Sequence, residues 1–253
     1  MAVIETHVSR KLASSILQLI LFVFLVSSQI ACYKPPSTVS SVHKNSLSAT
    51  IPSAGFSGEV MTNGSGFQPT PVKYRRIVRK YANSYELDWL LILSVMKQES
   101  QFRPNAVSRV GAYGLMQIMP ITQVELSEKL GVNEARSPYN NIKAGAFHFR
   151  SLYRIFRDAR EEDRIKLSLA AYNAGLGRIL DARQMAAYLG NDPNSWNSVK
   201  KALPLLSKRY YTLHKNIWDV PRPPSGYFRN WKQTTRYVGK VLEHYDQFAL
   251  AYE

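Results

Sequence analysis

Leu91, Ile92, Val95, Met96 and Glu99 fall at the i, i+1, i+4, i+5, i+8 spacing that lines one face of an α-helix, and the first four are apolar. A solvated charge belongs on the opposite face. Two readings fit Glu99. It is a structural carboxylate at a helix end, paired with Arg103, or its partial burial serves proton transfer. A solvated glutamate has a pKa of about 4.3 and is ionised at neutral pH. Withdrawal from water penalises the charged form and raises that value, giving an acid that can donate a proton near neutrality and later take one back. From Gln98 to Met119, Glu99 is the only acid, so no second carboxylate of this stretch can share its work.

Other candidates are weaker in isolation. Tyr172 and Asn173 in "LAAYNAGLGRI" read as a core aromatic and a turn-former, and Met116 and Met119 read as core. The five histidines show no HxxxH or HExxH spacing, and Cys32 is the single cysteine, which excludes an intrachain disulfide and a cysteine zinc site. No metal and no cofactor are expected. Lys and Arg outnumber Asp and Glu by 33 to 18, a formal charge of +15 in 253 residues. Such an excess suits a polyanionic surface or polymer: nucleic acid, anionic lipid or cell-wall polymer.

The N-terminus narrows that choice. Arg10 and Lys11 precede an apolar run over 16–26, interrupted only by Gln18, and the small residues Ser27, Ser28 and Ala31 follow. This is the pattern of a secretory signal peptide, 1–31, too short for a comfortable membrane span. Export disfavours nucleic acid as partner. Cys32 closes "SSQIAC", which resembles a bacterial lipobox but has Gln29 and Ile30 where Leu and a small residue are usual. Lipidation at Cys32, and with it a membrane anchor, stands against a soluble periplasmic product cut near Ser28 or Ala31. Residues 32–71 are rich in Ser, Pro and Gly with no lasting period, the composition of a tether.

The folded part, 72–253, reads as helices. Ile77, Val78, Tyr81 and Tyr85 mark the first. Asp88 is a plausible N-cap for 89–100, which carries Glu99, and Pro104 forbids its continuation. "LMQIMP" reads as a short helical segment stopped by Pro120, and helices are expected over 121–130, 142–156 and 164–173. A break at Gly175 and Gly177, a helix over 200–211 around Pro204, a loop over 220–227 and a last helix over 234–250 complete the chain. That last helix buries Tyr237, Val238, Val241, Leu242, Tyr245 and Phe248. "REEDR" reads as a solvated helix start. Nothing alternates as a strand, so the fold class is mainly α, one globular domain.

Four blocks in order, "QESQFRPNAVSRVGAYGLMQIMP", "SPYNNIKAGAFHFRSLYRIF", "LSLAAYNAGLGRI" and "QTTRYVGKVLEHY", resemble the catalytic domain of lytic murein transglycosylases, with the lysozyme-like fold of the soluble enzymes. "WNSVKKALPLLSKRYY" followed by "QTTRYVGKVLEHY" narrows the resemblance toward the membrane-bound F-type subfamily. The resemblance covers about 73–248. It implies Glu99 as the single catalytic acid/base, and Ser108, Gln117, Met119, Tyr172 and Asn173 as lining of a glycan cleft. Gln233 stands where the family usually has a glutamate. An amide there keeps hydrogen bonding to substrate but removes a charge whose repulsion would help hold Glu99 protonated. The upstream solute-binding-like domain usual in F-type enzymes is not expected in the stretch before Val72.

The implied partner is the peptidoglycan glycan strand, and the implied location the bacterial envelope: periplasm, anchored to the outer membrane if Cys32 is lipidated. Most glycosidases add a second carboxylate as nucleophile or base. The resemblance implies that the substrate replaces it. The 2-acetamido oxygen of N-acetylmuramic acid supports C1, and the same sugar's C6 hydroxyl attacks there, leaving a 1,6-anhydro end. A lysozyme-like hydrolase and a non-catalytic glycan-binding scaffold are the alternatives.

Overall fold

The computed structural model describes residues 72–131 and 137–252; the export segment, Cys32 and the tether lie outside the described residues. Nine α-helices are described: α1 (Val72–Ser84), α2 (Trp89–Ser100), α3 (Pro120–Leu130), α4 (Pro138–Ile155), α5 (Glu161–Ala174), α6 (Leu176–Tyr188), α7 (Trp196–Ala202), α8 (Tyr211–His214) and α9 (Trp231–Tyr252). Two 3₁₀ turns, Leu203–Leu206 and Lys208–Tyr210, join α7 to α8. Among the described residues the only β-pairing is two isolated bridges, Val107 with Tyr113 and Tyr113 with Ile118.

The long C-terminal helix α9 packs along both α2 and α5, and α4 packs against α1 and α5. These contacts bury Ile92, Leu93 and Met96 of α2, Phe149 of α4, Leu167 and Leu169 of α5 and Val241 of α9 completely. The apolar stripe of α2 therefore forms because it has helices on more than one side to cover it. Asp88 caps that helix as its type predicts, accepting the Leu90 N–H at 2.8 Å, and the Tyr245 hydroxyl donates to its other oxygen at 2.6 Å.

The end of α2 is sharper than Pro104 alone requires. Gln101 and Phe102 both take left-handed backbone, φ 52 and 61, a conformation uncommon outside glycine. The Gln101 N–H still closes on the Lys97 carbonyl, and the buried Phe102 ring tilts against Phe248 of α9 at 6.3 Å. Tertiary packing thus holds the turn that sends the chain across the end of the helix carrying Glu99.

Several expectations are corrected. "LMQIMP" is not helical: it forms a turn between bridge residues Tyr113 and Ile118, with Gln117 at φ 47, and Pro120 begins α3 instead of ending a helix. Proline at a first helical turn loses no hydrogen bond, which is why it starts the helix comfortably. The break after α5 occurs at Gly175 alone (φ 90), and Gly177 lies inside α6, a helix that the sequence reading passed over. The 200–211 segment is divided into α7 and two 3₁₀ turns around Pro204. "REEDR" is not wholly solvated, because Asp163 is buried and accepts the Trp196 N–H at 2.8 Å. Leu242 and Tyr245 are only partly buried. The loop at 220–227 stands as read, and the last helix is longer than expected, Trp231–Tyr252 instead of 234–250.

Candidate active site

Glu99 sits one residue before the end of α2, where α5 and α9 converge. Its outer surface is partly open, yet protein crowds the carboxyl enough to push its pKa from 4.5 up to about 7, with burial as the main cause. The Tyr237 hydroxyl of α9 donates to Oε1 at 2.6 Å, which favours the ionised form and opposes the rise. Burial wins, so near neutrality the group is divided between acid and base. Among the described residues no carboxylate lies near enough to add to this shift, and Glu99 forms no ion pair; Arg103 instead donates to the Ser100 carbonyl at 3.0 Å. That removes the helix-end pairing as an account of Glu99.

Two tyrosines flank the carboxyl. Burial is the largest cause that raises the pKa of both Tyr172 and Tyr237, and the charge of Glu99 adds to each. Tyr172 is close enough to feel that charge, but its hydroxyl donates to the Met116 carbonyl at 2.8 Å, not to Glu99. The direct partner is Tyr237, which the sequence reading placed in the core. A signal existed: Tyr237 lies four residues after Gln233, on the same helix face, and a buried tyrosine needs a partner for its hydroxyl.

The loop between α2 and α3 forms one wall, and α4 braces it. Asn141, buried on α4, accepts the Met116 N–H at 2.8 Å and donates to the Tyr113 carbonyl at 3.0 Å. The fit is close: a Cβ on Gly145 would stand 2.5 Å from that of Met116. Within the loop, Ser108 Oγ accepts the Ala112 N–H at 2.9 Å, and the Gln117 amide donates to the carbonyls of Ala106 and Gly114, both at 2.9 Å. Ser108 and Gln117 therefore shape the loop with the hydrogen bonds they make. Met119 is 38% exposed at the start of α3.

On the other wall, Thr234 of α9 donates to Asn173 Oδ1 of α5 at 3.0 Å. Both line a cleft of about 340 Å³ with Arg178, Tyr227, Arg229, Asn230 and Gln233. Asn173 and Gln233 thus line the cleft, with Gln233 exposed, on the same two helices that set Tyr172 and Tyr237 beside Glu99, while Ser108, Gln117 and Met119 belong to the loop between α2 and α3. Among the described residues no group of three or more His, Cys, Asp or Glu is placed to hold a metal ion.

Among the described residues helices alone position Glu99 and the adjoining cleft, which is the lysozyme-like fold of the soluble transglycosylases. Residues 76–195 match the Transglycosylase SLT domain, and that part of the chain belongs to this family. The membrane-bound lytic murein transglycosylase F of Desulfosudis oleivorans is 35% identical over 175 residues, covering 69% of this chain and 36% of the relative. The protein of that name from Serratia proteamaculans is 41% identical over 173 residues, covering 68% of this chain and 32% of the relative. The chain thus spans about a third of the length of these relatives. The lytic transglycosylase Slt of Pseudomonas aeruginosa, whose X-ray structure is of an inactive Glu-to-Gln mutant, superposes with a TM-score of 0.50 at 26% identity, over 72% of this chain and 25% of that one.

Proposed function

We propose that the chain is a peptidoglycan lytic transglycosylase, cleaving the β-1,4 bond between N-acetylmuramic acid and N-acetylglucosamine without water. The observation that carries this reading is Glu99: a carboxyl raised to about 7, hydrogen-bonded by Tyr237, with no second carboxylate near it. Its neutral form protonates the leaving oxygen as the C1–O bond breaks. The acetamido oxygen of the same muramyl residue supports C1. The C6 hydroxyl then attacks C1 and gives its proton to the Glu99 carboxylate, which restores the acid. A hydroxyl already held near C1 has the entropic advantage over water. A usual retaining hydrolase needs a carboxylate about 5–5.5 Å from the acid, and an inverting one a base across the sugar. The adjoining cleft is lined without an acid, which speaks against both.

Tyr172 and Tyr237 hold the pocket and the carboxyl; Asn173 and Gln233 offer amides to sugar hydroxyls and acetamido groups; Ser108, Gln117 and Met119 form the loop wall over which the glycan passes. The work site is the bacterial envelope. Export through residues 1–31, a lipid on Cys32 and a tether over 32–71 would carry the catalytic domain, 72–253, to the wall.

Purified sacculi supply the test. Soluble fragments should end in 1,6-anhydro-N-acetylmuramic acid, one water lighter than a hydrolase product and inert to borohydride. Predominantly reducing ends would make the chain a lysozyme-like hydrolase, and no release at all a glycan-binding scaffold. Glu99→Gln should lower release by roughly 10²–10⁴-fold, the usual share of general acid–base catalysis.

A further inference from the structure

One face of α1 carries charge that the rest of the fold leaves unanswered. Arg75, Arg76, Arg79 and Lys80 fall at the i, i+1, i+4, i+5 spacing, opposite the buried Val78, Tyr81 and Ala82. Arg76, Arg79 and Lys80 are exposed and Arg75 is partly so. Helix α1 contains no acid, and among the described residues none of these four cations forms an ion pair. Like charges at i and i+4 repel across one turn of helix. Arg75 and Arg76 also lie near a helix N-terminus, where the dipole favours an anion. The stripe therefore destabilises the isolated helix, and an external anion would relieve it.

Aromatic rings hold these cations in place. The Arg79 guanidinium lies over the Trp89 ring at 4.1 Å and that of Arg75 over Tyr252 at 5.4 Å. Trp89 and Tyr252 pack against each other with centroids 5.3 Å apart, and both keep part of their surface open. On the other flank Lys80 donates to the hydroxyl of the exposed Tyr139 at 2.8 Å. This face lies far from the catalytic carboxyl. Trp89 opens α2 and Glu99 stands ten residues on, about 15 Å at the rise of a helix. On α9, Tyr237 bonds Glu99, whereas Tyr252, the last helical residue, meets Trp89. The arginine face and Glu99 thus occupy opposite ends of the same two helices.

We propose that this arginine–aromatic face seats the catalytic domain on the headgroups of an anionic phospholipid surface, which turns Glu99 away from the membrane and toward the wall. The inference rests on the envelope location proposed above. Planar guanidinium groups fork onto phosphate oxygens, and tryptophan and tyrosine favour an interface that is apolar on one side and wet on the other. Carboxylates of the wall would supply charge but no such layer for the rings. In sequence the face follows directly on the tether, so it is the first folded surface that a lipid on Cys32 would bring to the bilayer. Headgroup contacts of this kind are weak and screened by salt. They orient a tethered domain and do not hold the chain to the membrane by themselves.

The test uses the full chain with Cys32→Ser, which takes no lipid, sedimented at low salt with vesicles of phosphatidylcholine, alone or mixed with phosphatidylglycerol. Arg76→Gln, Arg79→Gln and Lys80→Gln together should weaken partitioning to the mixed vesicles roughly 100-fold, at about fivefold for each cation removed. Partitioning to phosphatidylcholine alone should stay nearly unchanged. Lys200→Gln, Lys201→Gln and Lys208→Gln remove the same charge from exposed sites on α7 and the turns after it, and should weaken binding far less. Trp89→Phe should diminish the quenching of tryptophan fluorescence by brominated lipid in the mixed vesicles. Equal losses in the two triple variants would reduce the effect to net charge and overturn the proposal, as would no loss in either or unchanged quenching. A matching loss of binding to lipid-free sacculi in the first triple variant would make the partner a wall polymer and overturn it too. Sacculi left intact by the parent chain would strike the transglycosylase reading, whereas the vesicle results bear on this face alone.

Discussion

Glu99→Gln should stabilise the protein at the pH where it abolishes its chemistry. The amide has the shape of the carboxyl and can accept the same hydrogen bond from Tyr237, but carries no charge at any pH. Glu99 stands at about 7 in the folded protein against 4.5 for a free carboxyl. That difference corresponds to a cost of about 3 kcal/mol for holding the ionised form in the fold. Between those two values the folded state binds the proton more tightly than the unfolded chain, so ionisation opposes folding. The parent therefore loses stability as the pH rises from about 4.5 to about 7 and carries the full penalty above. Below about pH 4 both states hold the proton and the penalty is gone. Glu99→Gln should match the parent near pH 4 and exceed it by up to about 3 kcal/mol near pH 8. For a domain of this size that is a Tm higher by about 6–12 °C. Guanidinium unfolding of both proteins at closely spaced pH values isolates the effect, because other titrating groups cancel in the difference. A difference that stays flat from pH 4 to 8 would refute the burial argument for Glu99, whatever the activity did.

Three further outcomes are expected. Tyr237→Phe removes the one hydrogen bond that favours the ionised carboxyl, so the alkaline limb of the pH–rate profile should move upward from about 7; an unmoved limb would separate Tyr237 from Glu99's ionisation. Gly145→Ala drives a methyl to within 2.5 Å of Met116 and should cost about 1–3 kcal/mol, read by chemical denaturation, with a loss of activity from the displaced loop; unchanged stability would show that the loop is not held by α4. Cys32→Ser should shift the chain from the membrane fraction to the soluble one. An intact mass showing an unmodified chain that starts elsewhere would replace lipidation by simple export.

The sequence alone carried the helical class, the Asp88 cap, the loop at 220–227 and the placing of Glu99 on a buried stripe. Each is a local matter. Periodicity, a capping side chain and proline content act within one or two turns of the chain, so they can be read without knowing what packs where. The boundaries around glycine and proline were less legible. Gly177 lies inside α6, where its missing side chain leaves room for Ser225 and does not mark a break, and Pro120 opens a helix after the chain has been turned at Gln117. Ser225 lies far along the chain from Gly177, and the turn at Gln117 has its backbone set by the bridge that pairs Tyr113 with Ile118.

The rest of the site was fixed by contacts across long stretches of chain. Glu99 and Tyr237 are separated by 138 positions and meet at 2.6 Å only because α9 packs along α2. Asn141 holds the Met116 amide from another helix, and Tyr172 turns its hydroxyl to the Met116 carbonyl instead of the acid beside it. Composition could name a carboxylate capable of proton transfer. Its pKa depends on how much water the fold excludes and which hydroxyl faces it. Those are properties of three converging helices, not of any one segment, and tertiary packing alone decided them.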